Sequence, residues 1–428
     1  MQVEAWLRRA AISAPTLTAL QTRDARVSYA ELWHSARAGA AELSERGARP
    51  GERVAIALEP GIGFARALHA CMLLGAVAVP VDLRLTAAER ERIVAGVGTV
   101  VDRPLSEEGT ADEMSGSFHE LDAVCAVIHT SGTTSAPRPV ELTYGNFLWS
   151  ALGSAVALGL DPQERWLCAL PVSHVGGLSI LLRSAIYATT AVVHERFDTE
   201  AVLGAFEQDR ITLVSLVSTT LARLLDAGLH NPPRLRWALT GGGPVPPALV
   251  QRANKAGVPV AATYGLTEAC SQVTTGGPPL FCTKVRTADD GEILVSGPTV
   301  ARGSRAADGH LHTGDLGNID AEGFLHVSGR KADTIVTGGE NVAPSEVEAV
   351  LEAHPAVLEA AVLGRSDERW GEAVTAIVVL APRAAVEEGT LREHCSARLA
   401  PYKVPKRVEF VSAPLPRTRS GKLLRRDL

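Results

Sequence analysis

The chain predicts an α/β fold, with a large N-terminal domain of layered sheets and helices that includes a small β-rich subregion, followed by a small α+β C-terminal domain. Three observations carry this. The β-prone apolar runs RVAIALE, AVAVPVDL, AVCAVIHT, RWLCALP, ATTAVVHE and ITLVSLVS alternate with longer Ala- and Leu-rich segments of helical period, the pattern of sheets buried on both faces by helices. GEILVSGP and GFLHVSGR, near Gly291 and Gly323, are short and bounded by glycines, which reads as strands joined by turns. After Gly329 the pattern restarts. SEVEAVLEAHPAVLEAAVLG gives a helix and then a strand, and EAVTAIVVL a further strand, enough for a compact unit of its own. The boundary falls between Gly329 and Asp333, dividing residues 1–329 from residues 330–428. There is no internal repeat and no low-complexity tract.

Composition narrows the function classes. With 428 residues, 46% of them hydrophobic, the chain buries a large core. No apolar stretch is long enough to cross a bilayer, and the start MQVEAWLRRAAISAPTL lacks the basic, apolar and cleavage segments of a secretory signal, so a cytoplasmic protein without membrane insertion is expected. Six cysteines, at 71, 125, 168, 270, 282 and 395, form no close pair, which suits reduced core thiols better than disulfides or a zinc site. A net charge of −6 gives no global nucleic-acid surface. The tail PRTRSGKLLRRDL is the local exception, basic enough to meet phosphates, although such a run is by default a solvated face.

The richest chemistry lies in HTSGTTSAPRPVELTYGN, His129 to Asn146. An apolar strand delivers the chain into Thr130, Ser131, Gly132, Thr133 and Thr134, where backbone N–H groups and hydroxyls together suit phosphate oxygens. The alternative is an ordinary polar loop. The nucleoside-triphosphatase loop is excluded, because its Gly-Lys pair is replaced by Pro137-Arg138-Pro139, and RSGKLL near the C-terminus has Pro416 where the first glycine of that loop belongs.

This stretch resembles the signature loop of the adenylate-forming acyl-CoA synthetases, the AMP-binding family. TYGLTEA, GEILVSGP, HTGDLG, GRKADTIVTGGENVAPSEVE and the tail follow in the family's order, and the likeness covers nearly the whole chain. The resemblance implies two steps: a carboxylate attacks the α-phosphorus of ATP, giving an acyl-adenylate and pyrophosphate, and a thiol, from CoA or a carrier protein, then takes the acyl group. It implies that Thr130, Ser131, Gly132, Thr133 and Thr134 hold the β- and γ-phosphates, that Thr267 touches the α-phosphate, and that Glu268 binds Mg²⁺, a hard cation suited to carboxylate oxygen. Without that company YGLTE would read as a helix start capped by Thr267. Gly241, Gly242 and Gly243 give backbone access to a flat ring, Tyr264 with Gly265 beside it offers an aromatic face to adenine, and Asp315, supported by Arg330, accepts from the ribose hydroxyls. The plain alternative for Asp315 is a turn residue beside Gly314. The resemblance also implies that Lys422, on a mobile tail, bridges the acyl carboxylate and the α-phosphate. It implies that the C-terminal domain rotates about Ala332, where the family usually has Asp or Lys, and brings in Gly338, Gly339 and Glu340 on the CoA side.

LPVSHVGGLSILLRSAIYATTAVVHERFD, Leu170 to Asp198, looks like the corresponding region of the family's o-succinylbenzoate–CoA ligases of menaquinone biosynthesis. His174 then shapes the acyl pocket, beside Gly241. Ser179 and Arg183, four apart on a helix, make a donor pair for a second carboxylate, although Arg183 also reads as a surface or interdomain ion-pair residue and His174 as a core histidine. Three positions depart from the family: Ser135 and Pro139 for Gly, and Arg138 for Lys. They imply a stiffer loop and weaker ATP binding. The chain is also short for the family, contracted around TTGGPPLFCTKVRTADDGEI. Aryl or fatty acyl-CoA ligases, a carrier-protein-loading enzyme, and a nucleotide-binding regulatory protein are the alternatives. Oligomeric state is not legible, and a homodimer stays open.

Overall fold

The computed structural model describes residues 1–108, 117–130, 138–417 and 423–428, except for the side chain of Arg426. Phosphate-loop residues Ser131 to Thr134, with Ser135, and the proposed catalytic Lys422 lie outside them. The chain divides into two compact units, Met1–Lys284 with Val295–Leu311, and Val285–Leu294 with His312–Leu428.

The first unit is built on two sheets. In one, strands Thr99–Val101, Arg53–Ile56, Val77–Pro80 and Val124–Thr130 run parallel in that order, and Arg138–Thr143 closes the edge antiparallel. The other is centred on five parallel strands, Thr190–Val193, Arg165–Cys168, Leu213–Leu216, Trp237–Thr240 and Val260–Leu266, with Ser271–Thr275 antiparallel at one end and the Thr18–Ser28 hairpin at the other. The apolar runs become strands as expected, and their alternation shows why they are apolar throughout. Val54 and Ile56 face the main core while Ala55 faces a second cluster; Trp166 and Cys168 face the main core while Leu167 faces a third. Strands buried on both faces need helices on both faces. Tyr29–Glu45 packs on Ile62–Leu74 and Tyr144–Leu158 on Val175–Tyr187 in the shared middle layer, whereas Ala87–Val94 covers the far face of one sheet and Thr199–Gln208 and Ser218–Asp226 that of the other.

The stretch from Arg138 onward is sharply punctuated. Strand Arg138–Thr143 runs straight into helix Tyr144–Leu158, whose start is set by Thr143: its hydroxyl accepts from Asn146 N at 3.1 Å and Asn146 Oδ1 accepts from Thr143 N at 2.9 Å. Arg138 and Pro139, expected in the loop, are strand residues paired with Thr130 and His129. Proline is tolerated because this is an edge strand.

The small β sheet, expected as part of the N-terminal domain, has four strands in sequence order, and its residues 285–294 and 312–330 fall in the second unit. A second sheet centred on the long Val357–Asp367 and Gly371–Leu380 pair is covered by helices Pro344–Glu352 and Glu388–Ser396. Among the described residues no helix is long and apolar enough to cross a membrane, and all six cysteines are buried and unpaired.

Candidate active site

Parallel strands release their chains at one edge, and in open α/β sheets ligands gather there. In the first unit the strand exits carry Thr130, His174, Gly241 to Gly243, Tyr264, Gly265, Thr267 and Glu268. Thr130 ends one strand and its hydroxyl donates to Arg138 O at 3.3 Å. Gly241 follows Trp237–Thr240, and its N–H donates to Leu216 O at 3.1 Å. Its close approach is to protein: a Cβ there would stand 2.5 Å from Thr263 O, whereas Gly243 faces open space and Gly242 has only Val217 Cγ1 nearby. The Val260–Leu266 strand carries Tyr264 into a bulge at Gly265, where a Cβ would lie 1.8 Å from Ser271 O. That crossing turns the chain into the short 3₁₀ segment Thr267–Ala269.

Thr267 is not a helix cap: Leu266 holds that position and no side chain caps the turn. Among the described residues neither the Thr267 hydroxyl nor the Glu268 carboxylate has a hydrogen-bond or ion-pair partner, and both are partly exposed. Ala301 N–H donates to Glu268 O at 2.8 Å and holds the segment in place. A single carboxylate without a protein cation suits Mg²⁺ shared with substrate phosphates, since that ion keeps water and phosphate oxygens rather than an all-protein cage.

His174 precedes helix Val175–Tyr187 without capping it. It meets two residues that sequence reasoning missed. Asp82 and Arg84 follow strand Val77–Pro80 of the other sheet; Arg84 grips Asp82 through Nε at 2.8 Å and Nη2 at 2.6 Å, and His174 Nε2 lies 3.4 Å from Arg84 Nη2 and 3.8 Å from Asp82 Oδ2. The exit edges of the two sheets therefore meet at this trio. Burial depresses the His174 pKa, with Asp82 opposing and Arg84 assisting. Burial works against ionisation of Asp82, but hydrogen bonds from Arg84 outweigh it and hold the carboxyl below its usual range.

Arg183 is not a surface residue, and among the described residues it makes no ion pair. It is 3% exposed on a helix buried nearly all round. Nη2 donates to Ser150 Oγ at 2.9 Å, Ser150 donates to Cys270 O at 2.6 Å, and the guanidinium sits 5.5 Å from the Trp166 ring. No carboxylate pairs with it among the described residues, and its Nε has no partner. Burial lowers its pKa. Ser179 Oγ and both amide atoms of Gln272 are likewise buried without partners. A buried cation costs several kcal/mol unless compensated, so this cluster asks for an anion.

In the second unit, Asp315 is a strand residue rather than a turn residue. It is 6% exposed, stands opposite Arg330, and accepts from Arg330 Nε at 2.8 Å. Ala332 lies exposed in the 3₁₀ turn Lys331–Asp333. Gly338 and Gly339 form the two-residue turn of the Ile335–Val342 hairpin, exposed together with Glu340.

The AMP-binding enzyme profile matches residues 7–101 and 95–304, and that of the AMP-binding enzyme C-terminal domain matches residues 346–422. The chain belongs to the AMP-binding enzyme family. Within that family it is an enzyme of the AMP-forming acyl-CoA synthetase class. A 2-succinylbenzoate–CoA ligase of Bacillus subtilis (strain 168) is 38% identical over 476 aligned positions, covering 99% of this chain and 97% of the relative. That of Bacillus licheniformis is 37% identical, covering 99% and 98%. Since 476 positions exceed the 428 residues present, this chain is shortened against its relative, as expected. Among family structures, the o-succinylbenzoate CoA synthetase of Bacillus subtilis, solved with ATP and a magnesium ion, superposes with TM-score 0.91 at 36% identity over 100% of both chains. The same protein with its acyl-adenylate intermediate gives 0.91 and 36%, over 100% of this chain and 98% of that one. ATP-bound MatB from Rhodopseudomonas palustris gives 0.89 at 26%, over 99% and 98%.

Proposed function

We propose that the protein converts 2-succinylbenzoate, ATP and CoA into 2-succinylbenzoyl-CoA, AMP and diphosphate. In the first step a carboxylate oxygen of the acid attacks the α-phosphorus and diphosphate leaves. In the second the CoA sulfur attacks the acyl carbon and AMP leaves. Thr130 with Ser131 to Thr134 would hold the β- and γ-phosphates, Thr267 the α-phosphate, and Glu268 the Mg²⁺ ion that offsets phosphate charge. Gly241 to Gly243, Tyr264 and Gly265 would receive the adenine, Asp315 and Arg330 the ribose. Lys422 supplies positive charge where the transition state gathers negative charge. A rotation about Ala332, dividing 1–329 from 330–428, would exchange Lys422 for Gly338, Gly339 and Glu340. ATP and CoA are cytoplasmic metabolites, and the reading puts the enzyme there.

The observation that supports this acid over simpler ones is Arg183. 2-Succinylbenzoate has two carboxylates, of which only one is activated. The other needs a buried cationic donor, and Arg183 has an Nε without a partner among the described residues, with Ser179 one turn away. His174, held between Asp82 and Arg84, would shape the other end of the pocket. The test is diphosphate release across 2-succinylbenzoate, benzoate, fatty and amino acids, with and without CoA. Selective turnover of 2-succinylbenzoate is expected; preference for a fatty or amino acid would overturn the substrate, and ATP binding with no turnover of any acid would favour a regulatory protein.

A further inference from the structure

The described ends of the basic tail are not a solvated run. Residues 418–422 lie outside the description, but the chain on either side of them is tied down within the second unit. Arg417 and Leu423 form an antiparallel bridge, and Leu424 N–H donates to Pro416 O at 2.8 Å. Leu415, Leu423 and Leu428 pack on Ala361, Ile377 and Val379 of the long strand pair. Arg417 donates through Nη2 to Glu359 Oε2 at 2.8 Å and through Nε at 3.2 Å.

Arg425 makes the widest set of contacts. Its Nη2 donates to both oxygens of Glu348 on helix Pro344–Glu352, at 2.6 and 2.8 Å; Nη1 donates to Asp333 Oδ2 at 3.1 Å; Nε donates to Val362 O at 3.3 Å. Glu348 is itself fixed, accepting from Val362 N–H at 2.8 Å, and its side chain is only 14% exposed. One guanidinium thus joins the helix, the strand and the turn that contains Ala332 at a point three residues beyond Lys422. A planar fork filling three directions loses little freedom per bond and defines position more sharply than a point charge.

We propose that Arg425 is a positioning residue for adenylate formation: it pins the chain just beyond Lys422 to Glu348 and Asp333 and so sets where that ammonium is presented. The inference rests on the reading of Lys422 given above. A group misplaced by about 1 Å can cost on the order of 100-fold in rate, so Arg425→Ala is expected to lower kcat for adenylate formation about 10- to 100-fold. KM for ATP and for the acid should hold within about two-fold, as should thioester formation from supplied 2-succinylbenzoyl-adenylate and CoA, because a positioning loss confined to Lys422 leaves uniform binding and the second step alone. Arg425→Lys should recover part of the loss, since one ammonium reaches Glu348 but not three acceptors at once.

The experiment measures both half-reactions and the melting temperature for Arg425→Ala, Arg425→Lys and Lys422→Ala in the full-length chain. Equal losses in both half-reactions, or none in either, overturn the proposal. Lys422→Ala inactive in adenylation with Arg425→Ala unimpaired overturns it alone, whereas Lys422→Ala with normal adenylation overturns the Lys422 reading and this inference with it. Should Arg425→Ala not fold, Glu348→Gln keeps the shape, weakens the same grip, and must show the same split between half-reactions.

Discussion

Replacing Arg183 by methionine separates folding from recognition. The arginine is buried, its Nε unpartnered, and its only hydrogen bond to a described residue goes to Ser150. Losing that bond costs about 1.5–3 kcal/mol. Removing a buried charge that no described carboxylate pairs returns a desolvation penalty on the order of several kcal/mol. The two terms nearly cancel, so the melting temperature of Arg183→Met should stay level or rise. Recognition does not cancel: a hydrogen bond to a charged group is worth about 1.5–3 kcal/mol, which at about 1.4 kcal/mol per decade is roughly a 10- to 150-fold rise in KM for 2-succinylbenzoate. For benzoate or another monocarboxylate the KM should hardly move. Steady-state diphosphate release with each acid, beside a thermal melt, gives both readings. A large fall in melting temperature with an unchanged KM would mean that Arg183 is structural and would refute the argument.

Other consequences follow from single residues. Lys422→Ala should abolish adenylate formation and largely spare thioester formation from supplied acyl-adenylate; equal loss in both counts against its role. Burial depresses His69 to about 4, and burial with His69 nearby depresses His119 to about 3. Folded-state values below the unfolded value of about 6.5 mean that neutral imidazoles support the fold above that pH, and that this support drains away as pH falls through 6.5 toward 4 and 3. His69 alone contributes on the order of 3 kcal/mol to that slope, so the urea midpoint should fall steadily from pH 7 to 4.5, and a constant midpoint would contradict it. Gly265→Ala forces a methyl onto the Ser271 carbonyl; overpacking of this kind costs about 1–3 kcal/mol or more, read as a lowered melting temperature, and an unchanged one would show that the bulge yields freely.

Much of the fold was legible because strands buried on both faces must be apolar throughout, and such runs stand out wherever Gly, Pro or charge interrupts them. The strand Arg138–Thr143 was not legible: proline argues against a strand, and nothing local announces an edge. The motif residues Thr130, Gly241, Tyr264 and Glu268 could be named because their chemistry is local. Their neighbours could not. Asp82 and Arg84 reach His174 only because the exit edges of two sheets meet, a long-range fact with no sequence period. Arg183 reads the same on a solvated helix as on a buried one, and only packing separates the two. Likewise Arg417 and Arg425 look like free charge in the tail, since their acidic partners lie far upstream in the chain.

The central claim is that an acid-bound adenylate forms before any thiol takes part. A single turnover with ATP, Mg²⁺ and 2-succinylbenzoate but no CoA, quenched and read by mass spectrometry, tests it directly. The account predicts 2-succinylbenzoyl-adenylate held by the enzyme, one diphosphate released for each, and conversion to thioester and AMP on adding CoA. Release of ADP and phosphate, or no adenylate until CoA is present, would contradict it.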